Sequence, residues 1–207
     1  YGHTQLKDAL LTDGLWCSLE NWAMGDAAEF IADQFEVTRE EMDEFALESH
    51  RKAAAATDSG AFKAEIAPVT LNGKRAMTIE TDEPIRRDTT LEALAALKPA
   101  FQPQGRVTAG NAPGLNDGAA ATVVTTRAYA ESHNLHPMAR IVAYGQAAVA
   151  PKWLFYAPVK AIPIALERAG WTMADVDLFE INEAFAAQVL ADLAGLAREG
   201  YELPREK

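Results

Sequence analysis

The stretch Asp177-Leu178-Phe179-Glu180-Ile181-Asn182-Glu183-Ala184-Phe185-Ala186-Ala187-Gln188 decides the fold class, because a strand reading passes into a helix reading within it. Val176 to Ile181 is read as a strand, and Glu183 to Arg198 as a helix. On that helix Phe185, Val189, Leu193 and Leu196 fall at i, i+4, i+8 and i+11. Burying each such side chain contributes about 1.5–3 kcal/mol, so a core helix is expected, with Asp192 and Glu199 off its apolar stripe. A strand that runs into a helix delivers its last residues to the edge of an open α/β sheet where ligands bind. Asn182 stands at this junction. Its amide serves either as an oxyanion donor, directly or through a held water, or only as the N-cap of the helix.

Working upstream, Arg140 to Tyr144 is read as a strand and Val159 to Ala169 as a helix, and this alternation sets the expected class as α/β. Before it comes the loop Val107 to Gly118, with Gly110, Pro113, Gly114 and Gly118, followed by the small apolar run Ala119 to Val124. The loop matches neither a dinucleotide fingerprint nor a Walker A pattern, and its small residues permit close backbone approach. Nearer the start, Met24 to Phe35 has helical spacing. Thr38-Arg39-Glu40-Glu41 is a capping box for a second helix, which buries Met42, Phe45, Ala46, Ser49 and Ala53 and leaves Asp43 largely outside. Asp58-Ser59-Gly60 ends it. Glu65 to Val69 and Arg75 to Glu80 are expected as a hairpin about Asn72-Gly73. Thr89-Thr90-Leu91-Glu92 is a second capping box, opening a short helix that stops before Lys98-Pro99.

The 207 residues are 49% apolar and 24% charged, a composition that excludes disorder and a disulfide scaffold. A formal charge of −11 would repel a polyphosphate duplex, so nucleic acid is not an expected partner. No apolar run reaches the eighteen residues of a membrane span. The single cysteine, Cys17, has no basic neighbour to activate it and is read as a buried or half-buried thiol, not a nucleophile, in a reducing compartment, the cytoplasm. His3, His50, His133 and His136 show no metal-ligand spacing; no metal is expected and all four are given surface roles. Arg86-Arg87 either grips a phosphate or forms a solvated ion-pair patch with the acids around it.

Taken in order, Ala23-Met24-Gly25, Thr38 to Ala46, Arg86 with Thr89-Thr90-Leu91-Glu92, Pro99-Ala100-Phe101, Val107 to Gly118, Pro158 with Ala165 to Gly170, and Asn182 to Gln188 resemble the thiolases. These are the acetyl-CoA acetyltransferases and 3-ketoacyl-CoA thiolases. The resemblance implies a thiolase-like layered α/β fold, present in part, with an inserted α+β loop domain. Residues 1–114 would be most of that CoA-binding loop domain, 115–136 the end of the N-terminal half and 137–207 the start of the C-terminal half. It implies an acyltransferase acting on acyl-CoA thioesters, by reversible condensation and thiolysis of 3-ketoacyl-CoA. Coenzyme A is then substrate or product, with no separate cofactor, and the complete protein a homodimer or homotetramer.

By position, Asn182 matches the family asparagine that holds an oxyanion-hole water. Met24, Arg86, Leu97, Ala109, Ala112, Leu115, Ala184 and Phe185 match residues that line the CoA site. The nucleophilic cysteine would lie before Tyr1, and the Gly-His-Pro histidine and second cysteine beyond Lys207, so the chain is expected to be a central piece without turnover of its own. Ala23 and Pro113 depart from the His and Ser common in the family and remove hydrogen-bonding groups. A non-catalytic thiolase-like acyl-CoA or lipid-binding protein is the alternative, and flanking sequence would separate the two.

Overall fold

A computed structural model describes residues 1–73, 76–201 and 203. A π-helical turn, Leu10–Gly14, leads into a minimal antiparallel ladder of β1 (Trp16–Cys17) and β2 (Trp22–Ala23). There follow α1 (Met24–Phe35), α2 (Arg39–Ser59), β3 (Val69–Leu71), β4 (Met77–Ile79), α3 (Leu91–Ala95) and α4 (Arg127–Ser132). A 3₁₀ turn, Pro151–Tyr156, then precedes α5 (Ala157–Ala169) and, after a second 3₁₀ turn at Met173–Asp175, α6 (Ala186–Arg198).

α6 is the centre of the packing: it touches α1, α2, α5 and the 3₁₀ turn at 151–156. Its buried Ala186, Ala187 and Ala191 allow close approach, and Ile31, Met42, Val107 and Phe185 fill the space between. Phe185 packs edge-on against Phe101 and Phe155, with ring centroids 6.4 and 5.5 Å away. Gly25 at the start of α1 is required by close approach, because a Cβ there would run into the Phe101 ring.

The local signals placed the first two helices well. α1 has the expected bounds, and α2 opens with Thr38 Oγ1 accepting from the Glu41 amide (3.2 Å) while Glu41 accepts from the Thr38 amide (2.8 Å). Gly60 closes it at φ +74°. The hairpin forms, as an exposed excursion, but its first strand is displaced: β3 shares only Val69 with the expected Glu65 to Val69, and the ladder pairs Val69 with Ile79 and Leu71 with Met77. Arg75, where its second strand was expected to begin, lies outside the described residues. At α3 the cap shifts by one residue: Thr90, not Thr89, accepts from the Ala93 amide at 3.2 Å.

Other expectations are overturned. Neither Arg140–Tyr144 nor Val176–Ile181 is a strand, because a strand needs a neighbour to complete its ladder and none is present among the described residues. The first of these segments instead lies on α5: Arg168 donates to the Tyr144 carbonyl (2.9 Å), and a Cβ on Gly145 would meet the Ala161 carbonyl oxygen at 2.6 Å. α6 begins at Ala186 with Phe185 in the cap position, so Asn182 is not its N-cap. Asp43 and Asp192, expected outside the stripes of α2 and α6, are both buried.

Candidate functional site

A cleft of about 610 Å³ opens beside α2. Phe45, Ala46, Ser49 and His50 of α2 form one side, Ala93 and Leu94 of α3 with Leu97 a second, and the loop 109–116 a third. Arg86, Asp88 and Thr89 come from the segment before α3, and Glu183 and Ala186 close the end nearest α6. Thus Arg86, Leu97, Ala109, Ala112 and Leu115, spread over thirty residues of sequence, line one cavity.

The other expected site residues lie elsewhere. Met24 and Ala184 pack against the core, and Phe185 is part of it. Asn182 is exposed, one residue from cleft-lining Glu183, and its side chain has no hydrogen-bond partner among the described residues. His50, given a surface role from sequence, lines the cleft, where its Nδ1 accepts the Arg86 backbone N–H at 3.3 Å.

Among the described residues Arg86 is the sole Lys or Arg in the lining, and it pairs with no carboxylate there. Its neighbour Arg87 is committed to Asp58 at 2.7 Å. The lining is mixed: small and apolar along Ala46, Ala93, Leu94, Leu97, Ala109, Ala112 and Leu115, with the Arg86 cation and the Asp88 carboxylate on the segment before α3 and Glu183 at the end nearest α6. An anionic ligand group would be met at Arg86 and an uncharged body along the apolar stretch. Gly110 lets the loop pack closely on the opposite wall: a Cβ would sit 2.5 Å from Leu94 Cδ2 and 2.6 Å from Leu97 Cδ1.

A buried polar network, missed by sequence reading, fixes the walls. Asp43 is held by Arg39 Nε at 2.7 Å and by Asn111 Nδ2 at 2.9 Å. Arg39 also donates to the carbonyls of Leu94 and Leu97, satisfying the end of α3. Asn111 Oδ1 takes the Thr108 amide (2.8 Å), and the Asn111 carbonyl takes the Ala186 amide (3.1 Å). α2, α3, the 108–111 loop and the start of α6 are therefore one hydrogen-bonded frame. Sequence reading gives Arg39 as part of the α2 capping box and Asp43 as lying outside the apolar stripe, and neither carries a local sign of Asn111, 68 residues beyond Asp43. Asn111→Ala leaves the Thr108 amide and an Asp43 oxygen unpaired, and is expected to cost about 1–3 kcal/mol in a denaturant-unfolding measurement. A loss below about 0.5 kcal/mol would show that the frame does not bear on stability.

On α1, Glu29 Oε1 accepts the amides of Arg106 (2.7 Å) and Val107 (2.8 Å), and so ties the approach to this loop to the core. Among the described residues no group of three or more His, Cys, Asp and Glu is placed to hold a metal, and no helix is long and apolar enough to cross a membrane.

Residues 1–128 match the thiolase N-terminal domain and residues 135–199 the thiolase C-terminal domain. The chain is 46% identical over 191 residues to an acetyl-CoA acetyltransferase of Paracoccus denitrificans, covering 92% of this chain and 49% of that protein. An acetyl-CoA acetyltransferase of Escherichia coli is 49% identical over 191 residues, with 92% and 48% covered. The crystal structure of the Bacillus anthracis acetyl-CoA acetyltransferase superposes with a TM-score of 0.94 at 44% identity, over 100% of this chain and 51% of that one. Human mitochondrial 3-ketoacyl-CoA thiolase superposes at 0.90 and 39% identity, over 95% and 49%. The chain thus spans about half the length of the curated relatives it matches and carries part of their α/β fold. With both domain matches in order along it, the chain belongs to the thiolase family.

Proposed function

We propose that this chain is the central part of a thiolase that exchanges acyl groups between CoA thioesters, by reversible condensation and thiolysis of 3-ketoacyl-CoA such as acetoacetyl-CoA. The observation that carries the reading is the convergence of Arg86, Leu97, Ala109, Ala112 and Leu115 on one cleft, next to the segment that bears Asn182. The proposed division is 1–114 as loop domain, 115–136 as the end of the N-terminal half and 137–207 as the start of the C-terminal half. The exposed Val123, Val124, Ile141, Val142 and Leu178 support it, since segments so apolar belong against the rest of a thiolase. The same reading gives a homodimer or homotetramer, placed in the cytoplasm, using coenzyme A as substrate or product and no other cofactor.

In this scheme a cysteine thiolate, supplied by a part of the protein other than the described cleft, attacks the thioester carbonyl. In the condensation direction the carbon–sulfur bond to CoA breaks as the tetrahedral oxyanion collapses, leaving the acyl group on the cysteine sulfur. The carbanion of a second acetyl-CoA, its proton taken by a base, then attacks that acyl carbon and forms the carbon–carbon bond as the cysteine thiolate leaves. Thiolysis runs these steps in reverse, with free CoA taking the acyl group. Asn182 holds a water whose hydrogen points at that oxyanion, a contact strongest in the transition state. The pantetheine arm of CoA lies along Leu97, Ala109, Ala112 and Leu115, and Arg86 meets its phosphates. The chain's net charge of −11 does not prevent this, because most carboxylates are remote and screened by salt while the unpaired guanidinium acts at contact distance; of the acids in the same lining, Asp88 and Glu183 oppose it.

Titrating CoA into the complete protein tests the cleft. Arg86→Ala is expected to weaken CoA binding about 10–100-fold, the loss of a charge-assisted contact, with little change for pantetheine, which lacks the nucleotide phosphates. Equal loss for both ligands would remove Arg86 from the phosphate site. Undetectable binding of CoA by the unsubstituted protein would remove the function itself.

A further inference from the structure

We infer that Ser49 and Glu183 act as one latch that positions Asn182, a role resting on the proposed oxyanion function of that asparagine. Ser49 Oγ donates to Glu183 Oε2 at 2.6 Å, joining residues 134 apart in sequence across the end of the cleft. Asn182 itself makes no side-chain hydrogen bond among the described residues, so its direction is set by the backbone on which it rides. That backbone is not yet helix: α6 begins at Ala186, whose amide is held by Asn111, and Phe185 is anchored by its buried ring. Upstream of Phe185 the fixed points are the packing of Ala184 against the core, the turn from the Ala184 amide to the Asn182 carbonyl (2.9 Å) and the Ser49–Glu183 bond. Of these only the Ser49–Glu183 bond ties the segment to α2; without it, residues 182–184 keep the Ala184 packing and their own turn.

Electrostatics separates this role from ligand contact. Glu183 lines the same cleft as Arg86, and a carboxylate in the wall of a site for a polyphosphate opposes binding. Its presence is explained by what it accepts from α2. The bond needs an acceptor and not a charge, so Gln preserves it through its carbonyl oxygen, whereas Ala removes it.

The test uses the complete protein with Ser49→Ala, Glu183→Ala, the double variant and Glu183→Gln, reading thiolysis of acetoacetyl-CoA, CoA affinity and amide exchange across residues 183–186. Misplacing a reacting-site group by about 1 Å costs up to about 100-fold, so each alanine variant is expected to lower kcat about 10- to 100-fold while CoA affinity does not fall, and for the proteins that lose the Glu183 carboxylate it holds or rises. The double variant should fall no further than either single one, Glu183→Gln should recover most of the loss, and exchange at Ala184 should quicken in all three alanine-bearing proteins. Additive losses, a Gln variant as impaired as the Ala variant, or CoA affinity falling in step with kcat would overturn the latch. Absence of thiolysis in the unsubstituted protein would instead overturn the functional reading, and this role with it; unchanged exchange at Ala184 would overturn the latch whatever the activity.

Discussion

Asn182→Ala in the complete protein is expected to lower kcat for acetoacetyl-CoA thiolysis about 100- to 1000-fold, with KM for CoA nearly unchanged. The size follows from removing one oxyanion donor in a site where the charge exists only during reaction. The selectivity follows from position: Asn182 is exposed, lies outside the cleft lining and caps no helix, so its loss removes no ground-state contact described for the cleft. Unfolding midpoints should therefore coincide for the two proteins. Asn182→Asp keeps the shape but replaces a donor with an acceptor of like charge to the oxyanion, and should be no more active than alanine. A fall of less than about three-fold for Asn182→Ala, well short of an oxyanion-hole loss, would exclude this asparagine from catalysis.

What could be read from sequence divides by the distance over which each feature is decided. α1 and α2 were legible because their limits are set by groups three or four residues apart: Thr38 with Glu41 at the start, Gly60 at the end. The segments 140–144 and 176–181 were misread because alternation reports only that a chain would suit a ladder, and the ladder partner is a separate fact. The placement of Asn182 failed for a related reason. A strand ending at Ile181 would have put the helix start at Asn182, whereas the buried Phe185 ring fixes the entry to α6 three residues later. Five of the residues expected at a CoA site line one cavity, but the frame that brings them together, Arg39-Asp43-Asn111, spans 73 residues and has no local signature.

Asp43 and Asp192 show the same limit from the energetic side. Both were placed on polar faces, since a carboxylate in an apolar stripe is costly unless it is paired. Asp43 has its pairing, from Arg39 and Asn111. Asp192 does not: its Oδ2 is met by Gln188 Nε2, while its Oδ1 and the Gln188 Oε1 are buried without a partner. Among the described residues no neighbouring cation offsets its burial, and desolvation pushes its carboxyl up to about 7, against the opposing effect of the Gln188 hydrogen bond.

Asp192→Asn is accordingly expected to stabilise the protein at pH 8 and to do little at pH 4. In the folded state Asp192 holds its proton until about pH 7, whereas its ordinary value is 3.8, so between these limits the folded state binds more protons than the unfolded one. Stability falls as pH rises through that window and stays down above it, by on the order of 4 kcal/mol from this residue. Asparagine does not titrate. Its Nδ2 can donate to Gln188 Oε1 while its Oδ1 accepts from Gln188 Nε2, giving both amides partners. Urea unfolding at pH 4, 6 and 8 reads the effect directly: the difference between the two proteins should grow with pH and level off above about 7. A difference independent of pH would mean that Asp192 does not change its protonation on folding, and a difference that shrinks as pH rises would mean that an unseen cation holds it ionised.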